Sequence, residues 1–326
     1  MGGQRMPWQR GDRPAWWVPL LCLCLALPIP GWGRDLVLLL SHETAPYTTL
    51  ADRLVAALEQ GPPGPWVVRR LSLDQATADR LTALPADALI LAIGARATGT
   101  AFGAAGRHEV LAILVPRQFV LQQLGERPPP ADAGHTLRHS LCLDQPPSRL
   151  LELLVAALPE RRHPGVLLGP HNGIEEGPLQ RAAARLGLTL RVRRAGRNEK
   201  PVHALAGLLE TIDSLVALPD PRVVNRQTLP AILLTSYRYR IPVIGFSRAQ
   251  LRAGALLALY TAIDDILADT LDALRALQHH RAPPADCHPR HFHVGVNRRV
   301  ARSLDIALPT EDDLHRAIET LERKSP

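Results

Sequence analysis

The chain has 326 residues, enough for two domains of ordinary size that each bury a core of their own. Its formal charge is +7, and 36 of its 38 basic residues are arginine. They are scattered without a basic tract, which argues against nucleic acid as a partner, because binding needs clustered charge and not merely net charge.

In chain order, Arg5, Arg10 and Arg13 precede an apolar run over residues 16–27 that ends at Pro28 and Pro30 and meets Gly31-Trp32-Gly33. This pattern predicts a secretory signal peptide over residues 1–33, an exported protein and a periplasmic location. The run falls short of the ~20 residues that span a bilayer. Cys22 and Cys24 follow Leu21 and Leu23, where a lipid-attachment signal would carry a small residue, so no lipid anchor is expected. Cys142 and Cys287 remain downstream. A disulfide is open to them in an oxidising compartment, but nothing in the sequence brings them together, and two separate buried thiols is the plainer reading.

From Arg34 the chain repeats one grammar of apolar run, polar loop and amphipathic helix. Runs at residues 88–93 and 110–115 are apolar throughout, and those at 34–40 and 66–71 largely so, as in strands covered on both faces of a parallel sheet. After a proline-rich loop at residues 127–133 and a short strand at 140–143, a second series begins at residues 165–168 and continues through 189–193 and 215–218. Residues 213–259 carry strand, proline-bounded loop, helix, strand, loop and a small-residue run. Open α/β sheets bind ligands at the carboxyl ends of their strands, so the loops at 219–222 and 246–248 are the first places to seek a site.

This stretch resembles the substrate-binding proteins of ABC importers, in the family that includes tryptophan- and tyrosine-binding members. The likeness rests on Asp220-Pro221, on the segment Arg240-Ile241-Pro242-Val243-Ile244-Gly245-Phe246-Ser247, on Ala253-Gly254-Ala255-Leu256, and on residues 296–304, which begin Val296-Asn297-Arg298. The resemblance implies an α/β fold of the type I periplasmic binding class: two similar, doubly wound parallel-sheet lobes joined by a hinge that the chain crosses three times. It places residues 34–143 with 248–283 in the first lobe, and 144–247 with 284–326 in the second. The run at 254–260 is thus expected to rejoin the first lobe. It also implies a monomer without cofactor or catalysis, which captures a small molecule, amino acid-like in the characterised relatives, and delivers it to a membrane permease and ATPase. A periplasmic sensor that reports ligand to a membrane receptor or kinase is the alternative.

In that fold Ser41, His42, Gly94, Ala95 and Pro116 of the first lobe face Gly169, Pro170, His171, Asp220, Pro221, Phe246 and Ser247 of the second. Helix N-termini in these loops can hold an anion. Asp220 could pair with an ammonium, and Tyr47, Phe119 or Phe246 could cover a flat ligand. Two other chemistries are weaker. Ser41 beside His42 suggests a hydrolase, but there is no GxSxG elbow, and neighbours on a strand end point to opposite sides. His279, His280, Cys287, His288, His291 and His293 form a metal-like cluster, for which solvated loop histidines are the default and no metal is expected.

Overall fold

The run RDLVLLL forms β1 (Arg34–Leu40), and six of its seven residues are buried, as the continuous apolar pattern requires. The first series continues with α1 (Tyr47–Gln60), β2 (Trp66–Leu71), α2 (Ala78–Thr82), β3 (Leu89–Ile93), α3 (Ala95–Ala104), β4 (Glu109–Val115), α4 (Arg117–Glu126) and β5 (Arg138–Cys142). The computed structural model describes Gly2 and residues 33–61, 66–104, 106–126, 138–170, 173–284 and 286–324. The signal-peptide segment, the proline-rich loop at 127–133 and His171 lie outside the described residues. From Arg34 on, the chain forms a unit of its own, and among the described residues no helix is long and apolar enough to cross a membrane.

The second series comprises α5 (Pro147–Ala157), β6 (Pro164–Leu168), α6 (Glu176–Arg185), β7 (Arg191–Arg194), α7 (Pro201–Leu209), β8 (Ser214–Val216), α8 (Leu229–Arg238), β9 (Val243–Gly245), α9 (Arg248–Ala253) and β10 (Leu257–Tyr260). The chain then adds α10 (Ile263–Gln278), β11 (His293–Val296), α11 (Arg298–Leu304) and α12 (Glu311–Lys324). The first sheet has the order β2-β1-β3-β4-β5 and is parallel throughout. The second has the order β11-β10-β9-β8-β6-β7 and is parallel except for β11, which runs antiparallel along the edge of β10. Without that edge strand the two lobes share one winding, since β7-β6-β8-β9-β10 repeats the order of the first sheet.

That winding corrects the expected placement of residues 254–260. β10 pairs with β9 and stays in the second sheet, through Leu257 opposite Ile244 and Ala258 opposite Gly245. The connection through α9 is only six residues of helix. It ends at Gly254, at φ 126°, after which the Leu256 N–H bonds the Val243 carbonyl (2.9 Å). So short a return delivers the chain beside the strand it has just left. Residues 248–260 therefore belong with the second sheet, and the second passage between lobes follows Tyr260.

Each sheet is covered on both faces, because successive strand residues point to opposite sides. In lobe 1, Leu36, Leu38, Leu91 and Ile113 pack with Leu50 and Leu54 of α1 and with Ile266, Leu274 and Leu277 of α10. The alternate residues Leu39, Ile90 and Ala112 pack with Ala97 and Ala101 of α3 and Val120 of α4. In lobe 2, Val166, Ile244 and Leu257 meet α5, α6 and α12 through Leu151, Leu154, Leu179 and Ile318. Leu167, Leu215 and Val243 meet α7 and α8 through Leu205, Leu208 and Ile232. Truncating one such fully buried leucine to alanine costs about 2–5 kcal/mol, so neither sheet tolerates losing a layer.

Candidate functional site

The carboxyl ends of the two sheets face one cavity of about 1070 Å³. Its lobe 1 wall is Ala95 at the start of α3, with Pro116, Gln118, Phe119 and Gln122 on and before α4. Its lobe 2 wall is Pro170 after β6, Pro219–Arg222 and Val224 after β8, and Phe246–Arg248 after β9. Leu143, Asp144, Gln145, Thr261 and Ala262 come from the passages between lobes, with Tyr260 and Ile263 beside them. A β-bulge in β4 at Leu114, whose φ is 56°, shifts the register before Pro116. Bulges of this kind re-aim the end of a strand.

Of the expected site residues, Ala95, Pro116, Pro170, Asp220, Pro221, Phe246 and Ser247 line this cavity. Ser41, His42, Gly94 and Gly169 do not, and Ser41 and Gly94 serve the construction of lobe 1. Ser41 is buried, and its Oγ accepts the Ala97 N–H (3.0 Å) near the start of α3. Gly94 has φ 94°, and a Cβ there would lie 2.5 Å from the Tyr47 ring and 2.6 Å from the Ser41 Oγ, so only glycine fits. Tyr47 packs over that glycine and tilts against exposed His42 with ring centroids 5.4 Å apart, away from the cavity lining. Phe119 and Phe246 are the aromatic rings on the two facing walls.

Asp220 is 2 % exposed, and its carboxylate is occupied within the protein. Oδ2 accepts the Gly169 N–H (2.6 Å) and Oδ1 the Arg222 N–H (2.9 Å), which ties the loop after β6 to the loop after β8. Its first role is therefore to shape the lobe 2 wall. Ser247 likewise caps α9 by accepting the Gln250 N–H (3.2 Å), while the Phe246 N–H donates to Gln250 Oε1 (2.8 Å).

Several lining residues were not named singly by the sequence, although Arg222 and Arg248 end the two loops where a site is first sought. Arg222 turns an exposed guanidinium to the cavity, and among the described residues it makes no ion pair. Arg248 lies over the Tyr260 ring at 5.0 Å and donates to its hydroxyl (3.4 Å). Arg53 is paired with Asp264 at the rim. Asp144 accepts the Arg117 N–H that opens α4. Burial pushes its carboxyl above the ordinary range, against the pull of that N–H and of the His288 and Arg117 charges. Gln145 donates to Thr261 Oγ1 (2.6 Å) and joins the first passage to the second at the cavity floor. Counting strands could have found Tyr260 and Thr261. The first series has five strands, and the second reaches five only if the run ending at Tyr260 is included.

The histidine cluster is dispersed. Cys287 is bonded to Cys142, which corrects the reading of two separate thiols. His291 pairs with Asp269 (3.1 Å) and His293 with Asp265 (2.9 Å), both on α10. Among the described residues no group of three or more His, Cys, Asp or Glu is placed to hold a metal ion.

No protein-family model and no curated protein matches the sequence. Among solved structures, the chain is similar to a ligand-free, open substrate-binding protein with adhesive properties from Clostridium difficile. The TM-score is 0.64 at 16% identity, over 86% of this chain and 97% of that one. A conserved domain protein from Vibrio cholerae matches with a TM-score of 0.57 at 18% identity, over 87% and 98%. An ABC domain from Streptococcus pneumonia in complex with L-Trp matches with a TM-score of 0.55 at 14% identity, over 87% and 98%. The two parallel sheets, the repeated strand order and these likenesses together show that the chain has the two-lobed type I periplasmic binding fold.

Proposed function

We propose that this protein is the substrate-binding component of an ABC import system, working outside the cytoplasm without catalysis of its own. It captures a small molecule between its lobes and presents the closed form to a membrane permease. The observation that carries this reading is the cavity at the facing strand ends, lined by both lobes and by the passages that join them. A ligand touching both walls favours the closed arrangement, and two lobes on a hinge can convert occupancy into shape. The walls combine aromatic and proline surface with Arg222, a cation without an ion pair among the described residues, and with Asp144 on the floor. That composition suits a small organic ligand with polar ends and an apolar middle. The lobe boundaries that go with this reading are residues 34–143 with 261–287, and 144–260 with 288–326.

The test is a thermal-shift screen of the chain against amino acids, other carboxylates, sugars, nucleobases and inorganic anions. A ligand at a hundred times its dissociation constant stabilises by ~2.7 kcal/mol, a readily measured shift in Tm. A hit that disappears in both Phe119→Ala and Phe246→Ala supports capture between the walls. A hit unaffected by either substitution would place binding elsewhere and defeat the reading.

A further inference from the structure

The three passages between the lobes are short and fastened to one another. The first has only residues 143–146 between β5 and α5, and the second only Thr261 and Ala262 between β10 and α10. Cys142, the last residue of β5, forms its disulfide with Cys287 in the third passage, with Cα atoms 5.1 Å apart. The Cys142 N–H also donates to the Cys287 carbonyl (2.6 Å), and Cys287 packs against the lobe 1 cluster that contains Leu39, Ala92 and Val115. The disulfide thereby anchors the third passage on lobe 1 at residue 287, and in residues 288–292, which lead from there to β11, Arg290 and His291 also bond Asp269 and Asp272 of α10.

From the lobe 2 side, Arg149 of α5 reaches into the same region and is itself buried. Its guanidinium donates to Gln145 Oε1 (2.6 Å) in the first passage and to the Pro289 carbonyl (2.9 Å) in the third. It also donates to Glu322 Oε1 of α12 (2.6 Å) and lies over the Phe292 ring at 4.6 Å. Gln145 passes the link on to Thr261 in the second passage (2.6 Å). One guanidinium thus bonds two passages directly and the remaining one through a glutamine that also lines the cleft.

We propose that the Cys142–Cys287 disulfide and Arg149 form a clamp that confines lobe motion to these three spans and limits how far the cleft opens, and that reduction of the disulfide loosens it. Lobe rotation must bend all three spans together, because Gln145, Thr261 and Pro289 are held to one group. While the disulfide is intact, the third span is residues 288–292. Once it is broken, the third passage keeps only non-covalent fastenings to lobe 1, among them the bonds of Arg290 and His291 to Asp269 and Asp272 of α10. The first two spans still hold the lobes together, so the gain is in range of rotation and not in separation. In the reduction, the disulfide accepts two electrons and two protons to give two thiols, and an added dithiol is oxidised to its own disulfide. The inference rests on the two-lobed fold and not on the binding role, so its test needs no ligand.

The experiment is small-angle X-ray scattering on the full chain, oxidised and after treatment with a dithiol, with circular dichroism on the same samples. The expected result is an unchanged dichroism spectrum with a broader pair-distance distribution and a radius of gyration larger by about 1 Å, against ~20 Å for a folded chain of this size. Cys142→Ser/Cys287→Ser reproduces the reduced profile without reductant. Arg149→Met, with the disulfide intact, moves scattering in the same direction by a smaller amount. Scattering unchanged by reduction would overturn the clamp. So would loss of the dichroism signal, because the disulfide would then be a staple of the whole fold and not of the hinge.

Discussion

The two lobes share a winding but use their strand ends differently. In lobe 1 the turns after β1 and β3 are spent on the lobe itself: Ser41 caps α3, and Gly94 makes room for Tyr47 and Ser41. In lobe 2 the turns after β8 and β9 put Asp220, Arg222, Phe246 and Ser247 on the cleft wall. Equivalent positions in a repeated fold are thus no guide to equivalent roles. One lobe supplies a quiet wall with a single aromatic ring, and the other supplies most of the chemistry.

The sharpest way to break this comparison is Asp220→Ala. It leaves the buried Gly169 N–H and the Arg222 N–H without their acceptor, and urea unfolding should show a loss of about 2–3 kcal/mol. Asp220→Asn, which keeps one acceptor oxygen, should recover part of that. A change of next size lies behind the hinge, at Glu152. Burial, then repulsion by Glu322, pushes its carboxyl up to about 7 despite the Arg149 and Arg185 charges. Its Oε2 has no hydrogen-bond partner among the described residues. A carboxyl with a raised folded-state pKa holds its proton in the folded chain after the unfolded chain has lost it. Stability therefore falls as pH rises from the ordinary glutamate value through about 7. Glu152→Gln removes the titration, so melting at pH 8 should show a gain on the order of 2 kcal/mol that vanishes below about pH 4.

In lobe 1, away from the cavity lining, Ser41→Ala should cost about 1 kcal/mol through the orphaned Ala97 N–H, and should leave binding of any cleft ligand unchanged in calorimetry. Arg222→Ala gives the smallest change in stability, within about 0.5 kcal/mol, because its guanidinium is exposed and makes no ion pair among the described residues. It should nonetheless weaken an anionic cleft ligand. Equal effects of Ser41→Ala and Arg222→Ala on binding would erase the distinction between the strand ends of the two lobes.

The parts legible in the sequence were those set by local pattern. Buried parallel strands announce themselves as apolar runs, so β1, β3, β4 and β6 stood out, and with them the loops at their ends. β10 was legible as a strand but not as to its sheet, since a run of small apolar residues carries no mark of its neighbour. The disulfide was hidden for the same reason, because it joins residues 145 apart in sequence that meet only in the folded chain. The cavity floor was the hardest part. Asp144, Gln145 and Thr261 read as ordinary turn residues, and their positions follow from where three passages happen to converge.

Each sheet is roofed by a helix drawn from beyond its own series of strands: α5 leaves β5 to cover the second sheet, and α10 leaves β10 to cover the first. The layer of Leu36, Leu38 and Leu91 is therefore not closed until residues 263–278 have been made, long after the first sheet's own strands are complete. A nascent chain ending near residue 142 carries a full set of strands with one apolar face covered by α1 but not yet by α10. Synthesis of this protein thus passes through a long interval in which its first half is incapable of finishing alone, and in which a holding chaperone has a ready-made surface to grip.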